Sequence, residues 1–268
     1  MRRLWLLAVI GCAGSLVDTD TKPLPARTPE ALRVMSYNVN FGMAGDPPTV
    51  DAIKLGDPDI VLLQETNPEW ATAILARLDY RYHAFEDPGG VATRWPAGGM
   101  GILSRDPIVS IDRLPEPPGA LFFALRIVID TKKLGRVQFV DFHLRPPMSD
   151  GGSWVVGYWS TREVREREVQ YHLAELDPKL PTIICGDFNE ESGGHAIGYL
   201  VDQGFTDAVH QFVGARTTWE WPTSSITLRM QLDHILYDDH FVALGANVLR
   251  AGRSDHFPVV ADFIRVDP

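Results

Sequence analysis

The chain has 268 residues, of which 45% are hydrophobic and 22% charged, the composition of an ordinary globular protein with a sizeable core. Its formal net charge is −10, and such a surface repels polyanions on average. General high-affinity binding to duplex DNA is therefore disfavoured unless cations or a local basic groove intervene. Only two cysteines, Cys12 and Cys185, are present, which excludes a framework of several disulfides.

The N-terminus has the pattern of an export signal. Two arginines precede the apolar stretch Leu4–Ile10, far shorter than the ~20 residues of a membrane-spanning helix. The segment Val9–Cys12 resembles the lipobox of bacterial lipoproteins, where cleavage leaves a lipid-modified cysteine. We expect a signal peptide at residues 1–11, lipidation of Cys12, and a location in the bacterial cell envelope, lipid-anchored at the outer membrane or in the periplasm, or secreted. The alternatives are a plain secretory signal cut slightly later and a disordered start.

A tether and a run of strands follow. Residues 12–31 are rich in Thr, Pro, Asp and Ala, which predicts a flexible tether, and one folded domain is expected over residues 32–268. Apolar runs between glycine and proline turns predict its strands. They lie at Leu32–Val39, Asp59–Gln64, Tyr80–Phe85, Met100–Ser104, Ile108–Leu114, Leu121–Ile129, Val137–Leu144, Thr182–Cys185, Thr217–Glu220, Leu232–Tyr237, Ala246–Leu249 and Pro258–Ile264.

Helices are fewer than strands. Asn67 is a suitable N-cap with Pro68 at the first helical position, and Ser160 and Glu163 have the spacing of a capping box. The predicted helices are Thr49–Leu55, Pro68–Leu78, Ser160–Leu176 and His195–Gln203. Runs of strands with few helices favour two packed sheets with helices outside them.

Two motifs carry most of the chemistry. The sequence Gly-Asp-Phe-Asn at 186–189 ends an apolar strand, and because side chains alternate along a strand, Asp187 and Asn189 can point the same way. Asp255 and His256 precede another apolar run near the C-terminus. Carboxylates, an amide and an imidazole at strand ends suit a hard-cation site that hydrolyses a phosphate ester.

The order of polar residues at strand ends resembles the endonuclease/exonuclease/phosphatase family, the DNase I-like superfamily. The segments that carry this resemblance contain Asn38, Glu65, His143, Asp187 with Asn189, Asp233, and Asp255 with His256, and they span about residues 33–264. The resemblance implies an α/β fold of the α+β type, a four-layer αββα sandwich in which helices flank two mixed β-sheets. It also implies an active site at one rim between the sheets.

The same resemblance implies a metal site. Glu65 would be the principal carboxylate ligand of Mg²⁺ or Mn²⁺, with Asn38 and Asp255 nearby. Magnesium keeps several of its waters, so few protein ligands suffice.

The resemblance further implies the catalytic residues. Asp187 would orient or deprotonate the attacking water, and Asn189 would hydrogen-bond the phosphoryl group. His256, oriented by Asp233, would hold or protonate the phosphate oxygens, and His143 would bind the phosphate from the opposite side. Such catalysis needs a positioned water, charge stabilisation and in-line geometry.

These patterns predict a monomeric, metal-dependent phosphoesterase, most simply a phosphodiesterase of the endonuclease type. Its substrate partner is nucleic acid, or alternatively a phospholipid or inositol phosphate, and its second partner is the membrane through the lipid anchor. A non-catalytic binding module in the envelope is the remaining alternative.

The sequence leaves the roles of several other polar and aromatic residues undecided. His234 is expected to be structural, Asn40 is either near the site or a turn residue, and Arg126 is the one candidate phosphate contact within Gly119–Ile129. The aromatic segments Arg145–Trp159 and Thr217–Trp221 could touch lipid or bases, although packing is the commoner role for such residues.

Overall fold

The computed structural model describes residue 24 and residues 26–87, 96–147 and 154–266. The predicted signal peptide and Cys12 lie outside this part of the chain. Among the described residues, no helix has both the length and the apolar character needed to cross a membrane.

The first sheet is mixed. Its spatial order is β13 (Phe241–Val248), β14 (Val259–Arg265), β1 (Leu32–Asn38), β2 (Ile60–Thr66), β4 (Gly99–Ser104) and β3 (Tyr82–Glu86). Strands β1 and β2 run parallel, and the other neighbours are antiparallel. The polar ends of β1 and β2 therefore meet at one rim of the sheet.

The second sheet repeats this arrangement. Its order is β5 (Ile108–Leu114), β6 (Ala124–Thr131), β7 (Gly135–His143), β8 (Thr182–Asp187), β12 (Asp233–Tyr237) and β9 (Thr206–Asp207). Strands β7 and β8 form its parallel pair. A separate hairpin, β10 (Trp219–Pro222) with β11 (Thr227–Met230), stands apart from both sheets.

The apolar inner faces of the two sheets pack on each other, and helices cover the outer faces. The helices are α1 (Pro47–Gly56), α2 (Pro68–Arg77), α3 (Trp154–Ser160), α4 (Arg162–Leu173), α5 (His195–Asp202) and α6 (Ala208–Val213). Helix α6 differs from the others, because its Ala208 and Val209 belong to the core between the sheets. The outer face of the first sheet packs against α1 and α2 through Ile53 and Trp70, and that of the second against α4 and α5 through Val169 and Ile197. These layers confirm the predicted αββα sandwich.

Of the two helix starts predicted from capping residues, the structure confirms one. Asn67 caps α2 as predicted, since its side chain accepts a hydrogen bond from the Trp70 N–H at 2.9 Å. The capping box at Ser160 is wrong, because Ser160 is the last residue of α3. Thr161 makes no capping bond; its hydroxyl bonds the Gly157 carbonyl and accepts from Arg165. Helix α6 and strand β11 were not predicted.

The last residues of the predicted tether are held against the domain. The Arg27 guanidinium lies 2.5 Å from the Asp59 carboxylate, which also pairs with Lys133 at 2.9 Å. Asp59 accepts a hydrogen bond from the Arg33 N–H at 2.9 Å, beside the start of β1. The chain thus enters the domain at the end of the sandwich opposite the rim where β1 finishes.

Candidate active site

Four of the predicted residues end strands at the same rim. Asn38, Glu65, His143 and Asp187 lie at the carboxyl ends of β1, β2, β7 and β8. His143 stands beside Asp187 in the parallel register, and Asp233, at the start of the antiparallel β12, stands beside Asp187 on its other side. The topology therefore brings together residues that lie far apart in the sequence.

Backbone strain is concentrated at this rim. Of the four non-glycine residues with positive φ in the described part of the chain, three belong here: Asn40, Glu65 and Asn189. Such conformations cost about 1–3 kcal/mol each and persist only where surrounding contacts hold them. At Glu65 the pairing of β2 with β4 shifts register, so the residue sits on a β-bulge that re-aims its side chain.

Hydrogen bonds hold Glu65 in this position. Its carboxylate accepts from Asn38 Nδ2 at 3.0 Å and from the Phe41 N–H at 3.2 Å. Burial raises the pKa of Glu65, and the bond from Asn38 opposes that shift. A cation beside this carboxylate would favour its charged form.

Asn38 lies behind Glu65. It is fully buried, and its Nδ2 also donates to Asp187 at 3.1 Å while its Oδ1 accepts from the Asn40 N–H at 3.0 Å. Both ends of the amide are therefore engaged with protein groups. In this arrangement Asn38 positions the two carboxylates, and its direct ligation of a metal stays a prediction.

Asp187, Asp233 and His256 form a buried chain of polar contacts. His256 Nδ1 lies 2.9 Å from Asp233 Oδ2, and its Nε2 lies 3.5 Å from Asp187 Oδ2. Burial lowers the pKa of His256, but the charges of Asp233 and then Asp187 outweigh it and raise the pKa to about 10. Burial raises the pKa of Asp187, although the charge of His256 acts in the opposite direction.

His143 faces the same carboxylates from the other side. Its Nε2 lies 3.7 Å from Asp187 Oδ2 and 3.9 Å from Glu65 Oε1, and its ring stacks on Phe122 with centroids 4.1 Å apart. Burial, followed by the charge of His256, lowers the pKa of His143 to about 3. His143 is therefore neutral at pH 7 where His256 is charged.

Asn189 is held at the end of the loop after β8. Its Nδ2 donates to the Leu144 carbonyl at 2.9 Å, and its backbone N–H donates to Asp187 Oδ1 at 2.9 Å. Because an amide NH₂ has two donors, the second N–H of Asn189 is left for a ligand.

Asp255 is held by two residues whose contacts the sequence did not reveal. Its Oδ1 accepts from Asn40 Nδ2 at 2.7 Å, and its Oδ2 accepts from the Trp219 indole at 2.9 Å. The spacing of Asn40 from Asn38 was a usable signal. No sequence pattern indicated that Trp219, on the hairpin, would reach Asp255.

These side chains surround a cavity of about 180 Å³. Its lining is Glu65, His143, Pro146, Asp187, Asn189, Trp219, Trp221, Asp255 and His256. Asn38 and Asp233 lie behind it, fully buried. The rim thus combines carboxylates, an imidazolium, a neutral imidazole and an amide around one small volume.

Two donor sets could hold a divalent cation. Asp187, Asp233 and His256 have ligand atoms within 4.8 Å of one another. Asp233, however, has both oxygens within hydrogen-bonding distance of His256 Nδ1, so a cation at Asp233 would compete with that contact. The carboxylates of Glu65 and Asp255 line the cavity and are the oxygen donors that Mg²⁺ and Mn²⁺ favour. The residues present therefore fit a cation.

Two other residues lie away from the cavity. His234 is structural, as expected: its ring nitrogens contact Asp207 at 2.7 Å and the Glu190 carbonyl at 3.0 Å. Arg126 is not a phosphate contact, because its side chain pairs with Asp112 at 3.2 Å and donates to the carbonyl of Glu175. Phe122 is the member of that segment that reaches the site.

Comparison with known proteins agrees with this geometry. The profile of the Endonuclease/Exonuclease/phosphatase family matches residues 35–256, so the chain belongs to that family. Its members are phosphoesterases and nucleases and generally use divalent metals. No curated protein matches the sequence significantly.

Solved structures share the fold at low identity. The human Nocturnin catalytic domain with bound sulfate is 20% identical with a TM-score of 0.67, covering 90% of this chain and 97% of that one. A family protein from Bacteroides thetaiotaomicron is 19% identical with a TM-score of 0.65, covering 87% and 94%. TDP2 of D. rerio, complexed with a single-strand DNA product, is 15% identical with a TM-score of 0.65, covering 87% and 98%.

Proposed function

We propose that this protein hydrolyses phosphodiesters with the help of Mg²⁺ or Mn²⁺, by in-line attack of an activated water. One observation carries the proposal: Glu65, His143, Asp187, Asn189 and His256 line a single cavity of about 180 Å³. A phosphoryl group and its water fit a space of this size, and no covalent intermediate is required.

Asp187 is suited to orient and deprotonate the water. Burial moves its pKa upward toward the range in which a carboxylate is an effective general base. The neighbouring bonds from Asn38 and from the Asn189 N–H fix the direction of its oxygens. Asp187 therefore combines a tuned pKa with a fixed orientation.

His256 supplies positive charge to the phosphoryl oxygens. Asp233 holds the Nδ1 side of the ring, so the Nε2–H points toward Asp187 and the cavity. A preorganised cation at this place stabilises the charge that develops in the transition state.

The remaining residues hold the phosphoryl group and the cation. His143, neutral at pH 7, and the free N–H of Asn189 would hydrogen-bond the phosphoryl oxygens. Glu65 and Asp255 would hold the divalent ion, which neutralises charge on the phosphate when bound.

Two alternative functions are a phosphoesterase that acts on another substrate by the same chemistry and a binding module without catalysis. A phospholipid or inositol phosphate would meet the same residues, and so would a nucleic acid, which a related TDP2 structure contains as a single-strand DNA product. A non-catalytic binding module would not need a buried Asp233–His256 pair beside Asp187. We further propose a monomer anchored in the cell envelope through Cys12.

The test compares wild type with Asp187→Asn on bis-p-nitrophenyl phosphate, with Mg²⁺, Mn²⁺ or EDTA. We expect hydrolysis that EDTA abolishes and a fall in kcat/KM of about 10²–10⁴-fold in the variant, because the amide cannot accept the proton. Plasmid DNA, single-stranded DNA, RNA and sphingomyelin as substrates then separate the substrate classes.

Asp51→Asn is the control, since Asp51 is an exposed acid paired with Arg77 away from the rim. Its activity and the thermal midpoints of both variants should match wild type closely. Full activity in Asp187→Asn, or turnover that persists in EDTA, would refute the assigned chemistry. Absence of turnover on every ester would favour the binding module.

A further inference from the structure

A second, larger cleft opens directly onto the catalytic cavity. Its volume is about 450 Å³, and it shares Trp221 and Asp255 with the smaller cavity. Met43, Pro222 and Phe257 form apolar parts of its lining. A group attached to a phosphate in the cavity therefore has room to extend into this cleft.

Two tryptophans connect the cavity with the cleft. Trp219 donates its indole N–H to Asp255 and lies with its ring centroid 6.4 Å from that of His256. Trp221 is two residues further along the same strand, with its ring within 8° of parallel to that of Trp219. Trp219 is buried, whereas Trp221 is 49% exposed, so one indole is anchored and the next presents a free face.

The hairpin is fixed in place, which keeps this face oriented. The Glu220 N–H donates to the Asp255 carbonyl at 2.8 Å, and the Phe257 N–H donates to the Thr218 carbonyl at 2.7 Å. The hairpin is thereby hydrogen-bonded to the segment that carries His256. The position of Trp221 is consequently coupled to the catalytic residues.

The charges in the cleft are balanced. Arg229 pairs with Glu220 at 3.2 Å, and Arg253 pairs with Asp46 at 3.4 Å. Glu220 and Asp255 are the acids of the lining, and Arg229 and Arg253 its bases. Arg253 keeps a side chain that is 66% exposed.

The equal number of acidic and basic side chains in the cleft favours some phosphate esters over others. A polyphosphorylated inositol would need an excess of positive charge, and an acyl chain would need a continuous apolar channel. An exposed indole beside paired arginines instead suits a flat aromatic group followed by one phosphate. Every nucleobase has a face that stacks on an aromatic side chain.

We infer that this cleft is a nucleotide subsite, in which Trp221 stacks on the base next to the scissile phosphate and the arginines meet the following phosphate. The inference rests on the proposed function and names its substrate class, a single-stranded nucleic acid. A single strand is required because inside a duplex both faces of a base are covered by its stacked neighbours, which leaves no face for the indole.

The experiment uses two ligands that differ only in their bases: pentathymidylate and the analogue in which tetrahydrofuran replaces every base. Calorimetric binding to the full chain in EDTA is independent of turnover, and KM for cleavage is measured with Mg²⁺. We expect wild type to prefer the thymidylate by about tenfold. Trp221→Ala should abolish the preference, and Trp221→Phe should restore part of it.

Trp159→Ala is the matched control, because Trp159 is an exposed tryptophan on α3 that does not line the cleft. Equal binding of the two ligands by wild type would overturn the inference, as would an equal loss for both in Trp221→Ala, or no binding of either. Turnover of bis-p-nitrophenyl phosphate reports separately on the proposed function. A protein that hydrolyses this ester without any preference for bases keeps its proposed function and loses the subsite.

Discussion

Of the two histidines that line the cavity, His256 is charged at neutral pH and His143 is neutral. His256 keeps its proton because the charges of Asp233 and Asp187 together stabilise the imidazolium more than burial destabilises it. The carboxylates of Asp187 and Glu65 lie 3.7 and 3.9 Å from His143 Nε2, beyond hydrogen-bonding distance, and burial followed by the charge of His256 lowers the pKa of His143 to about 3. The same residue type thus serves as a cation on one side of the cavity and as a neutral ligand on the other.

Replacement of Asp233 by asparagine should reduce the difference between the pKa values of His256 and His143. In Asp233→Asn the imidazolium loses its nearest counter-charge, so the pKa of His256 should fall from about 10 by at least roughly one unit. Titration of the histidine ring protons by NMR, on the metal-free protein in EDTA, measures this shift.

His143 is the internal control in the same spectra. Its ring should show no protonation down to about pH 4 in wild type, because its pKa is near 3. A His256 pKa near the ordinary value of 6.5 in wild type would contradict the role given to Asp233.

The sequence supplied most of the site at the level of single residues. Asp187, Asn189, Asp255 and His256 were predicted from their positions beside apolar strands, and the others entered through a resemblance in the order of strand-end residues. Contacts that depend on tertiary packing could not be read in this way. The stacking of Phe122 on His143 and the bond from Trp219 to Asp255 join residues that only the folded sheets bring together.

At the scale of the element, α4 packs against the second sheet with charged groups inside. Arg165 is fully buried, and its Nε lies 3.0 Å from the Glu190 carboxylate, next to Asn189. Glu190 also accepts from the Ala196 and Ile197 N–H groups that begin α5. The helix therefore holds the loop that carries Asn189.

Glu168 on the same face makes stability depend on pH. Burial raises its pKa from 4.5 to about 8, so folding favours the protonated form. The contribution is fully present below about pH 4.5 and is lost as the pH rises through about 8. In Glu168→Gln, we expect the free energy of unfolding at pH 9 to rise by roughly 2–4 kcal/mol relative to wild type, with little change at pH 5.

Urea denaturation at the two pH values measures this difference. Glu163→Gln is the control, because Glu163 is on the same helix with a side chain that is 80% exposed. An identical effect of Glu168→Gln at pH 5 and pH 9 would mean that Glu168 is charged in the native state throughout.

The α4 helix also shows the limit of a hydrophobic pattern. Its Val169 and Leu173, with Leu176 just beyond its end, pack toward the second sheet at helical spacing, but Arg165 and Glu168 are buried on the same helix as well. Buried charges of this kind are satisfied by partners on other elements, which a one-dimensional hydrophobic pattern does not contain. The strands of the two sheets were predicted better, because their apolar runs report burial on both faces.

At the scale of the whole molecule, the predicted lipid anchor remains to be tested. Cys12→Ser should move the protein from the membrane to the soluble fraction, since a serine cannot receive the lipid. Immunoblots of fractionated cells measure the partition, with Cys185→Ser as the control because Cys185 is buried within the second sheet. Unchanged membrane association of Cys12→Ser would exclude lipidation there.

The ion pair between Arg27 and Asp59 fixes where the N-terminal segment joins the domain, at the start of β1. Strand β1 has seven residues, so the point where the chain joins the body and the reactive opening are separated by roughly 20 Å along the strand. A protein anchored through its N-terminus would therefore be attached on the side away from this opening, which leaves the opening accessible to esters that arrive from the aqueous compartment.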